Sequence, residues 1–156
     1  MAEGEFALVR QILEGALDLP AEWIGDHDMH VMLADVAASQ RDLAGIQKYA
    51  PQAEELAGLY QHKLYQAITQ RAWGVAHRLT GDYIKSEAKL TKALDLFRQM
   101  NTRWQVGRTL FEMGELARAR SAPVEAQRWF SEALSEFEEM NAQIDVKRTR
   151  IAFEAM

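Results

Sequence analysis

Asp26-His27-Asp28-Met29-His30 is the one cluster in this chain whose residue types and spacing suit a metal ion. Two histidines three apart at a helix start could reach one ion, with Asp26 or Asp28 adding oxygen. The competing reading is a capping aspartate, a solvated His27 and a His30 turned towards the core. No convincing third nitrogen ligand follows downstream, so the expectation is no metal and no other cofactor. Nucleophilic catalysis has less to build on. The chain has no cysteine, no Gly-x-Ser-x-Gly elbow and no glycine-rich phosphate loop. Acid pairs such as Glu138-Glu139 fall on what should be a solvated helix face rather than across a substrate. Trp73, Trp104 and Trp129 sit on or near packing stripes, as core and seam residues do, rather than forming a stacking box. An enzyme is not expected.

A second kind of chemistry needs only charge and surface. Three helical segments each carry a set spaced three, four and three, which keeps every set on one face. The first is Asp28, Val31, Asp35 and Ala38; the second Ile68, Arg71, Val75 and Arg78; the third Arg108, Phe111, Glu115 and Arg118. If these faces line one groove, it is acidic at its N-terminal end and arginine-rich afterwards, floored by Ile68, Val75 and Phe111. The candidate ligand residues are therefore Asp35, Arg71, Val75, Arg78, Arg108, Phe111, Glu115 and Arg118. Such a surface suits a protein or peptide partner carrying acidic groups and a bulky apolar residue. Replacing Arg71 and Arg108 is expected to weaken binding with little effect on melting. Against this, charge on a helix often only solvates it, and Arg118 stands three residues from Glu115.

The elements that must position these residues repeat every forty positions. A shift of forty places Gly74 on Gly114, Arg78 on Arg118, Ala93-Leu94 on Ala133-Leu134, Phe97 on Phe137 and Met100-Asn101 on Met140-Asn141. Those seven identities over 28 residues compare with about two for unrelated sequence. A weaker copy precedes, with Ala34 under Gly74, Asp42 under Asp82 and Ala53 under Ala93, and Ala16-Leu17-Asp18-Leu19 echoes Ala93-Leu94-Asp95-Leu96. Apolar spacing is helical throughout. Helices are expected from Phe6 to near Leu19-Pro20, then at about 27–39, 43–61, 64–79, 83–100, 104–119, from Pro123 to near Met140-Asn141, and 143–154. Asp26 and Asp82 serve as N-caps and Gly81 as a left-handed turn residue. Trp23 and Gly25 fall in the first loop, and Pro51 predicts a kink or early break. Gly74 and Gly114 lie mid-helix, where glycine costs about 1 kcal/mol against alanine, so a partner helix should approach closely there. Ser86, Leu90 and Ala93, matched by Ala126, Phe130 and Ala133, form the opposing small-large-small face.

This pattern resembles the tetratricopeptide repeat. Trp73, Gly74, Gly81, Ser86, Leu90 and Ala93 fill the signature places of one copy; Met113, Gly114, Ser121, Ala126, Phe130 and Ala133 fill the next. His77 and Ala117 replace the usual tyrosine, and Ser121 the turn glycine. The forty-residue period is similar to a variant in bacterial transcription regulators and signalling ATPases, whose second helix ends in a run like Ala-Leu-x-x-Phe-x-x-Met-Asn. The resemblance implies an all-α, right-handed superhelix of antiparallel helix pairs in a single domain over 1–156. Within it 5–19 is a half repeat or cap, 27–61 a degenerate repeat, 64–101 and 104–141 full repeats, and 143–154 a C-terminal cap. An array opening mid-repeat is expected either for a segment of a longer protein or for a first helix used as a cap. The resemblance also makes the inner face a concave groove for a protein or peptide, and the chain a non-catalytic scaffold. The alternatives are an effector- or peptide-sensing segment of a larger bacterial regulator, and a self-association module working through its end helices. The terminal-carboxylate clamp of chaperone-tail binders is absent, because Val31, Asp35, Arg71, Val75, Phe111 and Glu115 hold its places.

Composition bounds the rest. Hydrophobic residues make up 48% and charged residues 26% of the chain, as in ordinary globular proteins. With 18 Lys+Arg against 23 Asp+Glu the net charge is −5, which gives no overall footprint for nucleic acid. No apolar run is long enough for a bilayer span and the N-terminus lacks the basic start of a signal peptide, so a cytoplasmic location is expected.

Overall fold

The structure, a computed structural model, describes residues 3–17 and 26–155; the side chains of residues 3–6, 26 and 27 lie outside that description. Eight helices and no strand occur among the described residues: α1 (Glu3–Leu17), α2 (Asp26–Ser39), α3 (Leu43–Leu59), α4 (Lys63–Leu79), α5 (Tyr83–Gln99), α6 (Arg103–Ala119), α7 (Pro123–Glu139) and α8 (Gln143–Glu154). From α3 to α7 every helix has 17 residues, and each is joined to the next by three.

The cause of that regularity is one turn used six times. The middle linker residue takes a positive φ at Arg41, Gln61, Gly81, Asn101, Ser121 and Asn141, so the left-handed turn recurs every twenty residues. At each, the left-handed residue's N–H and the following N–H close a double hydrogen bond on the preceding helix end, as in Gly81 to Arg78 at 3.1 Å and Asp82 to His77 at 2.9 Å. The residue after the left-handed one starts the next helix. Asp42 and Asp82 do so with a side-chain cap, accepting from Gly45 at 3.0 Å and Lys85 at 3.2 Å, whereas Ala122 and Ala142 cannot. The expected roles of Asp82 and Gly81 hold. Trp23 and Gly25 fall outside the described residues, as does the Asp26 side chain.

The early break expected at Pro51 does not occur: α3 runs through it to Leu59. Proline removes the bond to the carbonyl of Gln47, but both residues are exposed, so water can take the freed oxygen.

Consecutive helices pack as pairs, most extensively α2 with α3, α4 with α5 and α6 with α7. Each pair also packs on the next through α3 with α4, α5 with α6 and α7 with α8. Contacts of α2 with α4 and of α4 with α6 lay the first helices of the pairs side by side as an inner row. The glycines set the spacing within a pair. A Cβ on Gly74 would stand 2.6 Å from Leu90, and one on Gly114 2.6 Å from Phe130. The backbones come close enough for the Ser86 hydroxyl to donate to the Gly74 carbonyl at 2.8 Å. Gly107 plays the same part against Phe137, at 2.7 Å. Ala93 and Ala133 are fully buried on the opposing face, as their small size predicted. α1 packs on α2, with Leu13 and Leu17 against the buried cluster around Leu33, Ile46 and Tyr49. Its Arg10 also reaches the Asp42 carboxylate at 2.7 Å.

Candidate functional site

The inner row supplies the site. α2, α4 and α6 stand side by side and α8 follows α7, so side chains one face apart on these four helices converge. Asp35 and Ser39 come from α2, Arg71 and Val75 from α4, Arg108 and Phe111 from α6, and Asp145, Arg148 and Thr149 from α8. The space they share is about 10 Å³, room for about one water. Beside it, a recess of about 380 Å³ opens between α2, α6 and α8, lined by Asp35, Val36, Ser39, Trp104, Arg108, Ile144, Asp145 and Arg148.

Charge in this region is organised around two carboxylates. Asp35 accepts from Arg71 at 2.9 Å and from Arg108 at 2.8 Å and 3.2 Å, and Arg108 also donates to Ser39 at 2.8 Å. Burial alone would raise the pKa of Asp35, but Arg108 and Arg71 more than offset it and hold the carboxyl well below its ordinary value. Glu112 accepts from Arg41 at 2.8 Å and from Arg78 at 3.0 Å, with Arg148 at 3.7 Å. There too burial pushes upward, and the three guanidiniums win, setting the pKa at about 2. Arg71 is the converse case. Its side chain is only 3% exposed, and burial together with the charge of Arg108 lowers the guanidinium to about 10 despite Asp35.

Aromatic rings hold two of the arginines in place. Arg108 lies over Trp104, with its Cζ 4.7 Å from the ring centroid, and Arg148 over Phe111 at 4.2 Å. Trp104 is not a seam residue as its spacing suggested: it is 45% exposed at the recess, and its indole N–H donates to Asp145 at 2.9 Å. Trp73 and Trp129 are partly buried against the core.

Of the residues picked out by helical spacing, Asp35, Ala38, Arg71, Val75, Arg108 and Phe111 meet at the space of about 10 Å³. Arg78, Glu115 and Arg118 lie outside it: Arg78 pairs with Glu112, and Arg118 with Glu115 at 2.9 Å. The expected separation into an acidic end and an arginine-rich end gives way to interlocked pairs, because Asp35 sits between Arg71 and Arg108. Arg71 is bridged and enclosed, so its loss is no longer expected to leave melting unchanged. Spacing missed Arg41, Glu112, Trp104, Ile144, Asp145 and Arg148. The last four were within reach, since Ile144 and Arg148 stand forty residues after Trp104 and Arg108, and Asp145 follows Ile144. Glu112 and Arg41 carried no such signal.

Among the described residues no group of three or more histidines and carboxylates could hold a metal ion; the side chains of Asp26 and His27 in the N-terminal cluster lie outside that description. No described helix is long and apolar enough to cross a membrane. No protein-family model matches the chain, and a search of curated proteins finds no match either.

Proposed function

We propose that this chain is a non-catalytic binding scaffold that holds a protein or peptide in a concave groove formed by α2, α4, α6 and α8. The observation that carries the reading is the recess of about 380 Å³, which presents apolar Val36, Trp104 and Ile144 beside Arg108 and Arg148. Its size lies in the range of pockets that enclose a ligand or a partner's anchoring side chain. Ile144 is 68% exposed, so apolar surface is left open next to charge rather than folded away. We take the stack to coil as a right-handed superhelix like that of the tetratricopeptide repeat. An acidic and apolar partner suits the wall best: Asp35 is already held between Arg71 and Arg108, whereas the Arg148 side chain is 40% exposed.

The test is selection of peptides on the wild-type chain, followed by binding to Val36→Trp, which fills the recess from α2, and to Gln127→Trp on α7. Peptides that lose Val36→Trp but keep Gln127→Trp support the groove. Peptides indifferent to Val36→Trp place binding elsewhere.

A further inference from the structure

The arginines around the recess are not equally free to meet a ligand. Arg71 and Arg78 are enclosed and paired. Arg108 spends its donors on Asp35 and Ser39. Arg148 differs on each count. Its side chain is 40% exposed, and its nearest carboxylate oxygen is Glu112 Oε1 at 3.7 Å. That carboxylate already accepts shorter bonds from Arg41 on one oxygen and Arg78 on the other. The guanidinium is nevertheless held in place over the Phe111 ring. A fork that is oriented but has unspent donors loses little freedom when an anion arrives.

The surroundings favour an anion as well. Arg41, Arg71, Arg78, Arg108 and Arg148 face Asp35, Glu112, Asp145 and, 4.0 Å from Arg41, Glu115, which Arg118 also pairs. Asp35 is held between two arginines, and Asp145 accepts the Trp104 indole N–H. Burial lowers the pKa of Arg148; Glu112 and Asp145 oppose the fall, and Arg41 and Arg108 add to it. Next to Arg148, and lining the same recess, stand Trp104, Ile144 and Val36.

We propose that Arg148 reads a carboxylate of the bound segment, while the wall of Trp104, Ile144 and Val36 takes a bulky apolar side chain beside it. This rests on the groove reading above. The carboxylate belongs to an acidic side chain or to a chain terminus, and the chemistry of recognition is the same for both.

The probes are short Ser/Ala peptides with both ends blocked, each carrying one Phe and one neighbouring Glu, titrated into the full chain by NMR. A matched set replaces Glu by Gln, and a third keeps Gln but leaves the terminal carboxylate free beside Phe. Wild type should bind the Glu peptides about tenfold more tightly than the Gln peptides, the usual scale of a charge-assisted bond. Arg148→Met keeps the stem on Phe111 and should erase that preference, while Arg148→Lys should keep part of it. Arg128→Met removes a cation similarly stacked on Trp129, 4.3 Å from its centroid but on α7, and should change nothing. A preference that appears only with the free terminus assigns the subsite to a chain end. Equal affinity for Glu and Gln peptides in wild type, a preference that survives Arg148→Met, or no binding by any peptide overturns the subsite. Charge-blind binding that Val36→Trp abolishes would remove the subsite and leave the groove standing.

Discussion

Asp35 and Glu112 decide what the inner face can tolerate, because each neutralises guanidiniums that have little access to water. Removing one partner of such a pair leaves a buried charge uncompensated, which costs far more than the net worth of the pair. Asp35→Ala strands Arg71 and Arg108 together and should lower stability by about 3 kcal/mol, as measured by urea unfolding. The same carboxylates set the acid response. Their folded pKa values are depressed, so the stability they contribute is present above the ordinary carboxylate range. It is lost as pH falls towards about 2 for Glu112 and lower for Asp35. In that window the unfolded chain binds more protons than the folded one, and the slope of stability against pH is positive. The urea midpoint should therefore decline from about pH 5 downward. Glu112→Gln should start lower at neutral pH and decline less steeply. An equal slope in the variant would show that Glu112 is not the titrating support.

Within each element, the sequence was most readable where a physical constraint admits few residues. Gly74 and Gly114 were legible because mid-helix glycine is unfavourable unless another backbone approaches, and Leu90 and Phe130 do stand where a Cβ would go. Gly114→Leu should accordingly destabilise by about 1–3 kcal/mol in a thermal melt. The turn every twenty residues was harder to see. Only Gly81 announces it; Arg41, Gln61 and Ser121 occupy the left-handed region with no compositional sign, and Asn101 and Asn141 with a weak one. Those side-chain-bearing turns hold because each closes two backbone hydrogen bonds and starts the next helix. Since a left-handed conformation costs an ordinary residue about 1–2 kcal/mol, Ser121→Gly should raise stability by about 1 kcal/mol. Asn141→Gly should gain less, because asparagine tolerates that conformation. A Ser121→Gly melt no higher than wild type would mean the turn is not under strain. The inner-face network was opaque for a different reason. Helical spacing assigns a residue to a face, but it cannot say which helix will stand opposite. Glu112 finds Arg41 across 71 positions of chain, and neither residue marks the other.

At the scale of the whole molecule these long pairs matter because of the architecture they cross. A stack of helix pairs in which each touches only its neighbours unfolds as nearly independent units, and its ends open first. Here Asp35 and Arg108 bond across 73 positions, and Arg41 with Glu112 across 71, so α2 and the linker after it are tied directly to α6. Packing alone gives α2 its contacts with α1, α3 and α4. The ion pairs therefore add coupling that the nearest-neighbour stack would lack. They should make the N-terminal pair open together with the centre rather than ahead of it. Asp35→Asn combined with Glu112→Gln keeps the shapes while removing the charges that form the ties. In native-state hydrogen exchange, amides of α2 should then lose protection by ~10-fold or more relative to those of α7, which supplies no charged residue to either pair. Trp104, beside Arg108, should report a urea transition separate from the loss of helix by circular dichroism, where wild type should show the two together. A uniform fall in protection across α2, α6 and α7 would mean that the pairs stabilise the molecule without coupling its ends. The recess would then owe its shape to packing alone.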